Sequence, residues 1–267
     1  MTLFQSDFSP QSTMLTVVVA VRNPDPLRLD RCIAAFAALR HAPSIELLLV
    51  TCGEAIDVCP RAAGALGKLR IIVDEPKGVY AAYNLGCLAA ASEFVAFFGL
   101  DDFPLPGLDV LIGHAACDDG KTVLFAGPCL SGRRVLRPIR PIVTIAYRNW
   151  CHQGLVYRRS ALAQPPYSTR YPVLADHHAN IRLLAAHGDS VRIVSEPVAY
   201  FSVGGLSSTC CDRTFRLDQR GIARASFGRV GVAVVDAGFA AFAVRRAMSG
   251  IVARLASTMR KGTHASE

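Results

Sequence analysis

The chain has 267 residues, 51% of them hydrophobic, with 29 Lys and Arg against 21 Asp and Glu, a formal net charge of +8. That apolar share excludes global disorder, and the length allows one large α/β domain, with or without an appendage. The basic balance suits anionic partners, nucleotide phosphates or an anionic membrane surface, but no RNP-like, helix-turn-helix or zinc-finger pattern supports a nucleic-acid partner.

The opening MTLFQSDFSP has neither a basic run nor a long apolar run, so residues 1–14 read as a tail without an export signal. LTVVVAV (15–21), IELLLV (45–50), LRIIV (69–73), FVAFFGL (94–100) and TVLFA (122–126) are short strand-like runs, that before Asp101 unbroken and apolar. Such runs suit strands buried on both faces. LDRCIAAFAALR (29–40) and VYAAYNLGCLAAA (79–91) carry helical patterns between them. This alternation predicts right-handed crossovers and a mainly parallel central sheet flanked by helices, an α/β fold of Rossmann-like type. Pro104, Pro106 and Gly107 are expected to forbid regular structure after Asp102. SGRRVLRPIRPIV (131–143) reads as loop or sheet edge, HQGLVYRR (152–159) as a strand, LADHHANIRLLAAHG (174–188) as a helix, and SVRIVSEPVAYFSV (190–203) as a strand pair.

From 212 onward, Val230, Val234, Ala237, Ala241, Val244, Met248, Ile251 and Leu255 step by four and three, one helical stripe. The stripe is read as packing on the domain, with a surface-lying membrane contact as the alternative. VGVAVVDAGFAAFAV (230–244) contains Asp236 and stops at Arg245 and Arg246, and a span needs about 20 apolar residues, so it is not expected to cross a bilayer. The nine cysteines include no CxxC pair, and Cys210–Cys211 has no partner pair at zinc-ligand spacing. An odd count without an export signal fits reduced cytoplasmic thiols.

Ligands of open α/β sheets bind beyond the carboxyl ends of the strands. Ala20, Val21, Arg22 and Asn23 follow the first strand, Asp74, Glu75, Pro76, Lys77 and Gly78 the third, and Asp101 and Asp102 the fourth. Adjacent carboxylates repel unless a cation or donors lie between them. Together these groups suit a nucleotide diphosphate with Mg²⁺ or Mn²⁺, ions that favour carboxylate and phosphate oxygens. Asp-Asp ahead of a proline also fits a turn or helix cap. Asp176 fits either a helix cap or a general base. His152 fits a ligand contact or a satisfied buried imidazole. His177 and His178 are adjacent, so they do not share a helix face and are not read as metal ligands. Cys151 has no base nearby in sequence to support covalent catalysis.

The order of these stretches resembles a family 2 glycosyltransferase of the GT-A fold, close to bacterial enzymes of surface-polysaccharide assembly. VVVAVRNPDPLRLDRCIAAF (17–36) is similar to the family's opening strand and its T/R-x-N-like turn. DEPKGVYAAYNLG (74–86) resembles a phrase like EPDKGIYDAMNKG, and FFGLDD (97–102) one like FLNSDD. HQGLVYRRS (152–160), ADHH (175–178) and GGLSS (204–208) are similar to HQxxFYRRS, ADYD and GGxS phrases. Six phrases in order cover about 15–208. The resemblance implies a GT-A domain over 15–211, with a nucleotide-sugar-binding half (15–126) and an acceptor half (127–211), then a basic helical extension over 212–267.

It also implies roles. Asp102, with Asp101, would ligate a Mg²⁺ or Mn²⁺ bridging the donor diphosphate. Ala20, Val21, Arg22 and Asn23 would cradle the nucleotide. Asp74, Lys77, Gly78, Tyr80 and Asn84 would line the donor pocket. Asp176 would be the base that takes the acceptor hydroxyl's proton, with His152, Gln153, Gly204 and Gly205 beside the acceptor or diphosphate. An inverting transfer needs this pairing of a carboxylate with a distant cation. The implied reaction moves a sugar from a nucleotide-diphosphate donor, a UDP-sugar in most relatives, to a glycan or polyprenyl-linked acceptor of polysaccharide biosynthesis. The implied location is cytoplasmic, with a peripheral contact on the inner face of the membrane through basic 212–267. Two departures stand out. Thr51 occupies the place where many relatives have an aspartate that bonds uracil, with Asp57 too far along to replace it, and Ala81 replaces a carboxylate. They motivate the alternative of a catalytically degenerate nucleotide-sugar-binding or scaffold protein.

Overall fold

The computed structural model describes residues 2–5, 13–53, 56, 58, 63–75, 77–188, 190–202 and 210–263, with side chains described within 13–249. Its organising element is a strand apolar on both faces. Along β2 (Leu15–Val21), following β1 (Thr2–Gln5), Val17 and Val19 turn to one side and Val18 to the other. The alternation is the period-2 geometry of a strand. Val17 and Val19 pack with α1 (Pro26–Ala37) and α3 (Gly107–Ala116), whereas Val18 packs with α2 (Val79–Ala89) and α4 (Ala175–His187).

The remaining strands are β3 (Ile45–Cys52), β4 (Lys68–Asp74), β5 (Phe94–Gly99), β6 (Phe103–Pro104), β7 (Leu124–Ala126), β8 (Cys129–Ser131), β9 (Arg134–Leu136), β10 (Leu155–Arg158), β11 (Val191–Ile193) and β12 (Ala199–Tyr200). Eight of the strands form one sheet in the order β1-β4-β3-β2-β5-β10-β7-β11, and four form a small sheet, β6-β12-β8-β9. β4, β3, β2 and β5 run parallel at the centre, and β1 and β10 are antiparallel to their neighbours. The register sets Val21, Thr51 and Val73 level, and Gly99 beside Ala20. The carboxyl ends of four strands therefore form one continuous edge.

The expectation that Pro104, Pro106 and Gly107 forbid regular structure is corrected. Pro104 lies in the two-residue β6 opposite Ala199, and Pro106 stands just ahead of α3. A helix start has no use for an N–H donor, so proline is tolerated there. Gly107 is needed because a Cβ would lie 2.4 Å from the Pro197 carbonyl oxygen. α1 likewise starts earlier than expected, because Asp25 accepts from the Leu27 N–H at 3.0 Å and caps it.

The last helical run, Arg213–Thr263, breaks at Gly228, where φ is 62° and ψ is −144°. Arg220 and Asp236 form an ion pair at 3.0 Å. Residues sixteen apart on a straight helix would stand about 24 Å apart, so the chain doubles back into two arms, α5 (213–227) and α6 (229–263). α5 anchors the pair: Phe215 is fully buried, and Gln219 donates to the Ala146 carbonyl at 2.8 Å. α6 meets it through Gly231 and Val235, and Gly238 lies against the Tyr147 ring. The reading of this helix as packed on the domain is met by that contact, which Val234 of the stripe joins, and is corrected for the rest of the apolar stripe. Val230, Val244 and Met248 are 61%, 59% and 61% exposed, because small residues on another face allow the closer approach. Among the described residues, Arg213–Ser249 is long and apolar enough to cross a membrane by length and composition. Yet any 18-residue stretch of it with no more than two charges runs across Gly228, where the helix reverses.

Candidate active site

A cleft of about 770 Å³ opens where β5 ends, walled by α2, the 148–153 segment and the start of α4. Asp101, Asp102, Tyr80, His152, Gln153 and Asp176 all line it. Arg28, Arg31, Arg137 and Arg148 add positive charge to its walls.

Asp102 is 5% exposed and held by its own turn and by two segments distant in sequence. Its Oδ2 accepts from the Gly99 N–H at 3.0 Å and from the Gln153 amide at 2.7 Å, and its Oδ1 from the Ser202 N–H at 3.0 Å. Burial raises its pKa above the usual carboxylate value, against the lowering by these three donors. All three partners are neutral, so the buried charge has no counter-ion. Gly99 is required, since a Cβ there would lie 2.9 Å from Asp102 Oδ2. Asp101 points outward and pairs with Arg28 at 3.1 Å. Among the described residues no group of three or more His, Cys, Asp or Glu gathers to hold a metal. The two aspartates fit a cation shared with phosphate oxygens, as Mg²⁺ sites do, and do not form an all-protein cage.

Asp176 lies on the first turn of α4 and is 8% exposed. The helix is capped at Leu174 with no side-chain bond, so Asp176 is not its cap. Its Oδ2 accepts from the Asn149 amide at 2.6 Å, and its Oδ1 lies 2.8 Å from the Tyr80 hydroxyl. That hydroxyl is also 2.7 Å from the Val173 carbonyl oxygen, and it has one proton for the two acceptors. Burial, then the Asp176 charge, pushes the Tyr80 pKa well up. Asn149 is itself held by Asn180 at 3.0 Å, and Asn180 by the Tyr157 hydroxyl at 2.8 Å. The Tyr83 hydroxyl is raised by burial, then by Asp102 and Asp176, a ring between the two carboxylates.

Other expected site residues are arranged differently. His152 shares a hydrogen bond with the Tyr167 hydroxyl at 2.8 Å, stacks on Phe97, and is held neutral by burial. The Asn84 amide is spent on the Tyr167 backbone, at 2.8 and 2.9 Å, and is not among the cleft walls. Ala20, Val21, Arg22, Asn23, Thr51, Asp74, Lys77 and Gly78 lie on the same sheet edge or just beyond it, outside the cleft walls. Gly78, at φ 99°, begins α2. Thr51 is buried, its hydroxyl 3.4 Å from the Ile72 carbonyl oxygen. Gly204, Gly205 and Asp57 lie outside the described residues. Sequence reasoning missed Asn149, Asn180 and Ser202. Asn180 stands four residues after Asp176, on the same helix face, and that spacing was a usable signal. Asn149 and Ser202 carried none.

No protein-family model matches the chain. It is 30% identical over 221 residues to the "PGL/p-HBAD biosynthesis glycosyltransferase" of Mycobacterium bovis (strain BCG / Pasteur 1173P2), across 76% of this chain and 82% of that protein. The fold is similar to S. aureus TarS 1–349 in complex with UDP-GlcNAc, with TM-score 0.62 and 14% identity over 84% of this chain and 70% of that one. It is also similar to the mannosyltransferase PcManGT of Pyrobaculum calidifontis in complex with GDP-Man and Mn²⁺, with TM-score 0.54 and 15% identity over 92% and 81%.

Proposed function

The chain belongs to the glycosyltransferases, and from that membership we propose that it transfers a sugar with inversion from a nucleotide-diphosphate donor, a UDP-sugar, to a lipid-linked glycan acceptor in the cytoplasm. The observation that carries this reading is one cleft lined by two buried carboxylates in different settings, Asp102 and Asp176.

In this reading Asp176 accepts the proton of the acceptor hydroxyl as its oxygen bonds to the anomeric carbon. The bond from that carbon to the diphosphate breaks, and its electron pair leaves with the diphosphate. Mg²⁺ or Mn²⁺ held by Asp102 and Asp101 would take up that developing charge. Asn149 keeps the base carboxylate oriented, and the Tyr80 O–H can donate its one hydrogen bond to Asp176 or to the Val173 carbonyl. Arg22 and Asn23 with Lys77, from the sheet edge, would meet the nucleotide side of the donor.

The test is thermal stabilisation of the full chain by UDP, GDP and dTDP, each with and without Mn²⁺, beside Asp102→Ala. A ligand bound at 100 times its Kd adds about 2.7 kcal/mol of stability. A shift with UDP that requires metal and vanishes in the variant is expected. No shift with any nucleotide would overturn the donor site. A shift without sugar transfer would favour the degenerate binding protein that Thr51 and Ala81 motivate.

A further inference from the structure

We propose that α6 lies along an anionic lipid surface, its exposed apolar stripe in the interfacial layer and its arginines on the headgroups. The first ground is charge. Residues 213–261 hold ten Lys and Arg and two Asp and Glu, so they account for the whole net charge of +8. The rest of the chain balances at 19 basic and 19 acidic residues. The other basic stretch, 133–159, has seven arginines, of which Arg137 and Arg148 line the cleft and Arg158 pairs with Asp118, so the hairpin is left as the basic surface complementary to an anionic leaflet.

The second ground is the stripe. At about 100° per residue, Val230, Val234, Ala237, Ala241, Val244 and Met248 fall within roughly 80° of arc. Val230, Val244 and Met248 of this face are each about 60% exposed, whereas Val234 packs against the Ala146, Ala223 and Val235 cluster. Arg229 and Arg245 border it on either side, positions from which long side chains reach headgroups while their stems stay apolar. The one acidic residue of the arm, Asp236, is turned away and tied to Arg220. Because α5 is anchored in the domain and Asp236 is fixed against it, the arm lies on the surface and does not enter the bilayer end-on.

The position of α6 connects this surface to the cleft. The Tyr147 ring packs on Gly238 and lies 5.4 Å from the Phe239 ring. The next residues, Arg148, Asn149 and Trp150, line the cleft, and Asn149 holds Asp176. A docked α6 therefore sets the Asp176 side of the cleft close to the lipid surface. That last step rests on the proposed transfer to a lipid-linked acceptor. The docking itself does not.

The experiment is sedimentation of the full chain with vesicles of phosphatidylcholine, alone or with about a third phosphatidylglycerol. Binding to the anionic vesicles, weakening as salt rises, is expected. The double variant Val244→Glu, Met248→Glu should lower partitioning about tenfold or more without changing the melting temperature, because both side chains are exposed. Equal sedimentation of wild type and variant, or no binding to anionic vesicles, would overturn the proposal. A concentration-dependent dimer in light scattering, abolished by the same variant and without vesicle binding, would assign the stripe to a second copy of the chain. Vesicle binding needs no nucleotide, so its failure leaves the donor site untouched, and loss of nucleotide stabilisation leaves the docking untouched.

Discussion

Asp102 and Asp176 are buried to nearly the same degree, 5% and 8% exposed, and line one cleft, yet they are built in opposite ways. Asp102 is gripped by two backbone N–H groups and one amide, all fixed donors that cannot take a proton. Its charge is stabilised geometrically but not neutralised, which suits the cation-holding role proposed for it. Asp176 is gripped by side chains from distant elements, one a hydroxyl whose single proton has two acceptors within reach. That is a place to receive a proton. Burial alone does not distinguish a metal ligand from a base; the nature of the partners does.

The largest expected effect follows from removing the proton acceptor. Asp176→Asn should lower the rate of sugar transfer about 10²–10⁴-fold, the usual weight of a general base. Metal-dependent stabilisation by UDP should be unchanged, measured on the same preparation. Loss of that stabilisation with transfer retained would exchange the two roles.

A second effect separates the two sides by pH. His177, next to Asp176, donates to the Ile145 carbonyl at 2.6 Å and packs on Phe215. Burial lowers its pKa from 6.5 to about 4. Between those values the unfolded chain binds the proton and the folded chain does not, so stability is lost as pH falls through 6.5 towards 4. The loss is about 3 kcal/mol. Asp102 acts in the opposite sense: its raised pKa makes the folded state hold a proton to higher pH, so its contribution grows as pH falls. Urea melts between pH 7 and 4 should therefore show a net loss that His177→Gln flattens. An unchanged slope in that variant would assign the loss elsewhere.

The same contrast explains what could be read in advance. The Asp102 site is contiguous only in part: the run from Phe97, the Gly99 that leaves room for the carboxylate and donates to it, and the aspartates themselves stand within six residues, 97–102, whereas the donors Gln153 and Ser202 lie 51 and 100 residues away. Four parallel strands were legible for a similar reason, since each is a short, mostly apolar run, with Glu46 and Arg70 the charged exceptions. The Asp176 site is assembled from Tyr80, 96 residues earlier, and Asn149, 27 residues earlier, and no local pattern links them. The α6 stripe was legible as a helix face. Which face is covered was decided by Gly231 and Gly238, whose missing side chains the hydrophobic periodicity does not register.

The smallest effect is the most specific to this contrast. Asn149 stands between Asp176 and a relay that ends at the Tyr157 hydroxyl, so its role is to fix a carboxylate that no backbone group holds. Asn149→Ala should reduce kcat about tenfold, the weight of one hydrogen bond to a charged group. KM for the donor should stay unchanged. Asn180→Ala should give a weaker version of the same change, acting through Asn149. No such relay backs Asp102, so Gln153→Ala, which leaves its two backbone donors in place, should weaken metal-dependent UDP binding. If Asn149→Ala lowered thermal stability and left kcat where it was, the residue would be packing, and the two carboxylates would differ less than their partners imply.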